Sequence, residues 1–393
     1  MKHLTIKNFG PLSNVDIDMA HFNLIIGMQS SGKSCVMMAS CYCSWVEKRI
    51  ALRQSAKEFE SGTAFLDIMI SYYRAQGYVH PNTFIAYKSS YMEFEYDNAK
   101  QIDKFSFTWL RNHWQYRRPK VSYVPAERNM ISLVSNWNRL ETQYDSILDF
   151  KAEWDAARRY VKSINNILGT GVSYKYDEVR DEDSIIVSNG KQLNLISSSS
   201  GLQSLIPQFV HLMYLNRGIY DVDKNNVEKS LSEKQLISNL LDVLYERNYS
   251  KKTPQDFVEE NVVVHLAGRD FPFKNKTIAE QFQKEVGYLT KTHHVEVFLE
   301  EPESNLFPPT QFLLMDYVVE MAKTKSQNFF FVATHSPYVL NHILQENLKD
   351  FKLFLTYKEN EGVYSVKTAT NEDIQQIYDN GSDAFFNFDA FVN

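Results

Sequence analysis

An α/β fold, with a mixed sheet around one loop-and-helix unit, is predicted from three features of the 393-residue chain. An apolar run, Phe22-Asn23-Leu24-Ile25-Ile26, leads through Gly27-Met28-Gln29-Ser30-Ser31-Gly32-Lys33-Ser34 into a helix-forming segment. A second run, Val295-Glu296-Val297-Phe298-Leu299, ends in two carboxylates, Glu300 and Glu301. A third, Asn328-Phe329-Phe330-Phe331-Val332-Ala333, ends in Thr334-His335-Ser336-Pro337. Polar groups at the C-terminal ends of buried strands gather at the ligand edge of such a sheet.

In chain order, residues 2–8 and 22–26 read as strands, and a helix should begin at about Lys33 and run past Trp45. Alternating segments at Thr83–Tyr87, Tyr91–Tyr96 and Lys104–Trp109 predict an antiparallel sheet with one wet face. Val121–Pro125 is a strand interrupted by its proline. Ile147, Phe150, Trp154, Ala157, Val161, Ile164 and Leu168 are spaced alternately three and four apart. They predict one core-facing helix closed by Gly169. Residues 217–260 are polar and helix-forming and carry no chemical motif, and a helix of about fifteen residues is expected between the last two buried strands. No internal repeat or low-complexity tract is present.

Composition is that of an ordinary globular protein, 44% hydrophobic and 23% charged. A net charge of −6 gives no global basic field, so a nucleic-acid contact would need a local patch. Trp114-Gln115-Tyr116-Arg117-Arg118-Pro119-Lys120 mixes aromatics and cations and is either such a patch or a solvated loop. No segment approaches the ~18 apolar residues of a membrane span, and the N-terminus lacks the apolar core of a signal peptide. Cys35, Cys41 and Cys43 lie on one segment, which makes neither a disulfide framework nor a metal site. A reduced, cytoplasmic protein is expected.

The segment from Gly27 to Ser34 meets the pattern G-x-x-x-x-G-K-[ST]. Its glycines let successive N–H groups, from Gly27 through Gln29, Ser30, Ser31 and Gly32 to Cys35, cradle phosphate. Lys33 reaches the β- and γ-phosphates, and the Ser34 hydroxyl ligates Mg²⁺. The helix start adds a favourable dipole. Glu300 is expected to hold the Mg²⁺ shell and Glu301 to polarise the attacking water. Successive strand residues would face opposite ways, but Pro302 implies that the chain is already turning there. His335 can hydrogen-bond a γ-phosphate or the water. Ser197-Ser198-Ser199-Ser200-Gly201-Leu202-Gln203-Ser204 reads as a serine linker or a capped helix start, and the apolar run after it favours the cap.

Together these elements resemble the ABC-type ATPases of chromosome maintenance, recombination and phage defence. They are most similar to stand-alone "AAA" ATPases related to the ATPase half of OLD nucleases. Leu4-Thr5-Ile6-Lys7-Asn8-Phe9-Gly10 is similar to that family's first strand. Leu299-Glu300-Glu301-Pro302-Glu303 resembles its Walker B motif and Ser304-Asn305-Leu306 its D-loop. Thr334-His335-Ser336-Pro337 resembles its switch histidine. Ser199-Ser200-Gly201-Leu202-Gln203 is similar to the signature motif, and Tyr123-Val124-Pro125-Ala126-Glu127-Arg128 to an element near the Q-loop. The chain departs from the family in having Gln29 where Asn is common, and in the hundred or so residues between signature and Walker B.

The resemblance implies an ABC-type nucleotide-binding fold with an antiparallel β subdomain and a helical lobe. The first part of the nucleotide-binding lobe would span 1–128, the helical lobe 129–260 and the second part 261–393. It also implies ATP and Mg²⁺ as ligands. Lys33, Glu301 and His335 would be the catalytic residues, and Ser200, Gly201 and Gln203 would clasp the nucleotide of a second subunit. ATP would close a head-to-head homodimer and hydrolysis would open it, in DNA-linked antiviral defence or repair with a separate effector. No Toprim nuclease half follows His335, so the chain is not expected to cut DNA by itself.

Three other functions compete. A GTPase would need Asn-Lys-x-Asp, and Asn275-Lys276-Thr277-Ile278 lacks the aspartate. A small-molecule kinase needs neither the Ser-Gly-x-Gln element nor the histidine after a strand. A non-catalytic ATP-binding regulator or scaffold would share every motif.

Overall fold

A computed structural model describes residues 2–133, 145–224, 231–250 and 262–381. Seven strands come from the first third: β1 (Lys2–Phe9), β2 (Leu12–Met19), β3 (Phe22–Ile26), β4 (Val79–Lys88), β5 (Met92–Asp97), β6 (Phe105–Trp109) and β7 (Pro119–Val124). A small sheet follows, of β8 (Ser163–Ile164), β9 (Ser173–Asp177), β10 (Glu182–Ile186) and β11 (Gln192–Asn194), and then a hairpin of β12 (Val262–Leu266) and β13 (Arg269–Phe273). The last strands are β14 (His294–Glu300), β15 (Phe329–Ala333), β16 (Phe351–Asn360) and β17 (Val363–Thr368).

The main sheet has eleven strands in the order β6-β5-β4-β1-β2-β17-β16-β3-β15-β14-β7. Pairing is parallel from β16 through β3, β15 and β14 to β7. It is antiparallel from β6 to β2. The phosphate-loop strand β3 therefore lies between β15, which leads to His335, and β16, a strand not expected from the sequence.

Alternation along the central strands sorts their side chains into two cores. Leu24, Ile26, Val295, Val297, Leu299, Phe330 and Val332 face one side, against the helices Ser146–Val161, Ser200–Met213 and Pro308–Thr324. Ile25, Phe298, Phe329 and Phe331 face the other, against the helix Lys33–Arg53. That helix buries residues on all its sides, including Ser40, Ser44 and Glu47, because the antiparallel strands and the helix Ala64–Tyr73 cover what the sheet leaves open. Such all-round burial is the pattern of a central helix.

The expected antiparallel strands β4, β5 and β6 belong to the main sheet. β4 pairs with β1, which joins them to it. The expected long helix from Ile147 to Leu168 is also shorter than its apolar spacing. Asp145 caps it by accepting from Ile147 and Leu148 N–H, and it runs from Ser146 to Val161. Lys162, at φ 58, turns the chain out of the helix. Ile164 then lies in β8 and Leu168 in a left-handed turn, so Gly169 is not the cap. Both side chains still pack against the same core, so the apolar spacing reported burial and not helix length. The lobe expected to be helical carries the four-stranded sheet as well. In the polar 217–260 stretch, helices cover Ile219–Lys224 and Leu231–Asn248, and residues 225–230 and 251–260 lie outside the described set. Among the described residues no helix is long and apolar enough to cross a membrane.

Candidate active site at the sheet edge

Register brings the three motif-bearing strands to a common end. Ala333 pairs with Ile25 on one side and Glu300 on the other, and Leu299 pairs with Val124. Gly27, Glu301, Thr334 and Pro125 therefore leave the sheet at one edge.

At Gly27, a Cβ would stand 1.7 Å from the Thr356 hydroxyl oxygen, so only glycine fits. The Thr356 hydroxyl is hydrogen-bonded to that of Ser31 at 2.5 Å, and Ser31 donates to the Met28 carbonyl at 2.7 Å. Gln29 and Ser30 are exposed, with Ser30 at φ 60, and Gly32 at φ 91 starts the helix. Cys35 turns its thiol into the core, where burial pushes it up to about 12.

The Lys33 ammonium donates to its own loop, to the carbonyls of Gly27 (3.0 Å) and Met28 (2.7 Å). Burial draws it down to about 8, against the opposing pull of Glu301, Glu303 and Glu300. Phosphate recognition needs the charged form. Nucleotide affinity is therefore expected to fall as pH rises through about 8, approaching about tenfold per pH unit. A lysine at its ordinary 10.5 would give a flat profile there. Titration with a non-hydrolysable ATP analogue between about pH 7 and 9.5 reads the difference.

The two adjacent carboxylates reach one site because the turn begins at Glu301 itself. Glu300 ends the strand on the phosphate-helix side, where Tyr123 donates to it at 2.5 Å and the Ser34 hydroxyl is also bonded to it. Burial raises its carboxyl, those two bonds oppose the rise, and Glu127 and Glu301 add to it. Glu301 takes φ 42, its N–H donates to the Ala333 carbonyl at 2.9 Å, and its carboxylate accepts from Ser304 at 2.9 Å. His335 Nε2 lies 3.5 Å from the Glu301 carboxylate. Burial, and next the charge on Lys33, lower the His335 imidazole, with Glu301 opposing.

Several residues that shape this edge are not given a role from sequence. Arg128 is fully buried and donates to four carbonyls: Pro125 (3.2 Å), Glu300 (3.0 Å), Glu301 (2.8 Å) and Pro302 (3.2 Å). Burial draws its guanidinium down to about 10. Glu303 accepts from the His335 N–H at 2.7 Å, and burial raises its carboxyl. Tyr123 sits at a strand's C-terminal end, which is a signal for it. Glu303 and Arg128 lie inside the Walker B-like and Q-loop-like segments, but neither is given a role there, and for Thr356 the sequence offers no signal.

The signature segment sits beside the acidic turn. Ser199 caps the helix Ser200–Met213, as the capped reading expects, and Ser200 is exposed. A Cβ on Gly201 would lie 3.0 Å from the Asn305 carbonyl, and Ser204 donates to the Ser304 carbonyl at 2.9 Å. Gln203 turns inward and ties the helix start to the carbonyls of Ile196 and Ser198.

The residues fit a magnesium nucleotide. Glu127, Glu300, Glu301 and Glu303 all act electrostatically on this edge, an acidic surplus suited to a hard divalent cation. Ser34 and Glu300, already hydrogen-bonded to each other, would hold it with oxygen ligands.

No family model and no curated protein matches the chain. Among solved structures it is similar to an Smc head bound to the C-terminal winged-helix domain of ScpA, at 12% identity and TM-score 0.45, covering 95% of this chain and 98% of that one. It is also similar to the SMC head domain of Thermotoga maritima, at 10% identity and TM-score 0.43, covering 94% and 98%. An Smc head with an extended coiled coil from Pyrococcus furiosus gives 12% and 0.41, covering 96% and 99%.

Proposed function

We propose that the protein is an ATP-hydrolysing switch of the ABC type, whose ATP-bound form is a head-to-head dimer. The observation that carries this reading is the convergence of Lys33, Ser34, Glu300, Glu301 and His335 on one sheet edge. The loop N–H groups and Lys33 bind and orient the phosphates. Glu301 accepts a proton from the attacking water, and the half-buried imidazole of His335 lines the same space. Magnesium, when bound through Ser34 and Glu300, supplies charge neutralisation on the phosphate oxygens.

Dimerisation is supported by what this edge exposes. The signature helix starts at an exposed Ser200 beside the acidic turn, while Met28 on the loop and Phe307 after the turn are 53% and 76% exposed. A second copy would cover these apolar groups and bring its own Ser200 and Gly201 to the nucleotide. A DNA-linked role in defence or repair, through a separate effector, rests on the motif resemblance. The 114–120 cluster adds little to it. Tyr116 is buried, Arg118 donates to the Thr290 carbonyl, and Lys120 pairs with Glu153.

Lys33→Ala tests the reading. It should weaken binding of a fluorescent ATP analogue by about tenfold or more, the cost of losing a buried charge on phosphate. Phosphate release should fall to background. Unchanged binding would remove the loop from the site.

A further inference from the structure

We infer that the opposite edge of the sheet holds a second ligand site, for a small organic cation bearing an ammonium or guanidinium group. A cavity of about 780 Å³ lies there, within the size range of small-molecule sites. It opens where the parallel strands begin: His294 and Phe329, the first residues of β14 and β15, line it with Lys2 and His21. It is thus at the far end from Glu301 and His335, and the inference does not rest on the ATPase reading.

Its floor is a buried charge cluster that is not closed. Lys2 and His294 both turn to Glu296, at 2.6 and 3.4 Å. Glu47, on the phosphate-loop helix and only 3% exposed, receives the Tyr87 hydroxyl at 2.7 Å on one oxygen, and the Lys2 charge and the Ser89 hydroxyl also act on its carboxyl. Its other oxygen has no hydrogen-bond partner, and neither has the hydroxyl of Tyr116, which is 2% exposed. Both residues line the cavity. An unpartnered oxygen on a buried carboxyl is costly, and native proteins rarely leave one without a reason. Perturbed buried acids in a cleft mark candidate sites, and burial does raise the Glu47 carboxyl.

The chemistry of the walls selects the ligand. Tyr91 and Trp114 line the cavity, and two further lining aromatics already hold cations: Arg117 and Lys284 over Tyr288, and Lys2 over Phe329. An N–H-rich cation would supply donors to Glu47 and Tyr116, a counter-charge to Glu47, and a group for the aromatic walls. An anion would meet the buried carboxyls of Glu47 and Glu296, while the lining cations are already engaged, Lys2 by Glu296 and Arg117 and Lys284 by Tyr288; a neutral apolar molecule would leave both oxygens unpartnered.

Calorimetric titration with agmatine, which carries both groups on an apolar stem, tests this on the intact chain. Saturable binding is expected in wild type, weakened about tenfold or more in Glu47→Gln and measurably in Tyr116→Phe, with ATP turnover unchanged in both. Butylurea, a neutral analogue, should not bind. Absence of saturable agmatine binding through the millimolar range would overturn the proposal. So would equal affinity in Glu47→Gln, or equal binding of butylurea. If Glu47→Gln does not fold, as judged by its circular dichroism melt, Tyr116→Phe and the agmatine–butylurea comparison decide between the same two outcomes.

Discussion

Replacing Glu301 by glutamine is expected to lower ATP turnover by about 10²–10⁴-fold, the usual worth of a positioned proton acceptor. ATP binding should be retained, and in ATP and magnesium the variant should run as a species of doubled mass on a sizing column. The expectation follows from how little else the substitution changes. Glu301 holds its place through backbone contacts, its N–H to Ala333 and its carbonyl to Arg128, and neither depends on the side chain. Glutamine can still accept from Ser304, which now lies 2.9 Å from the carboxylate. What it loses is the ability to take a proton. Turnover within about tenfold of wild type would remove Glu301 from that role. Lost turnover together with lost ATP binding would mean that the substitution damaged the site instead of the chemistry.

How much of this edge is legible in the sequence depends on how local each determinant is. The strands β3, β14 and β15 stand out as apolar runs ending in motif residues, and their polar ends do meet. Pro302 signals the turn, which in fact begins one residue earlier at Glu301. By contrast, β16 and β17 enter the sheet between β2 and β3 through pairings more than three hundred residues apart, and no local period encodes them. The joining of β4 to β1 is also non-local, and it sets the expected antiparallel strands in the main sheet. The stripe from Ile147 to Leu168 shows the opposite failure. Its spacing predicts burial correctly, but a left-handed Lys162 ends the helix early. The 114–120 cluster reads as either a basic patch or a solvated loop, because sequence does not show that Thr290 and Glu153 are placed to receive Arg118 and Lys120.

The burial of Arg128 and its four carbonyl partners are not visible in the sequence either, and Arg128→Met is expected to destabilise the fold by about 2–4 kcal/mol. Each hydrogen bond from a charged group is worth roughly 1.5–3 kcal/mol, and a buried carbonyl left unpaired costs about 1–3 kcal/mol. Relief from burying the guanidinium offsets part of the four bonds lost, a burial large enough to draw its pKa down to about 10. The loss should appear as a lower urea midpoint at unchanged slope. Turnover should fall as well, because Glu301 sits at φ 42, a backbone conformation that costs a non-glycine residue of order 1 kcal/mol or more. The bond from Arg128 to the Glu301 carbonyl, together with those to Glu300 and Pro302, fixes that turn against the end of β7. Lysine separates the two effects. It restores a buried cation, but a single ammonium cannot span carbonyls on two chain segments as the planar guanidinium does. Arg128→Lys should therefore recover part of the stability while turnover stays low and ATP affinity stays near wild type. If both variants hydrolyse ATP at the wild-type rate, the geometry of Glu301 does not depend on this clamp.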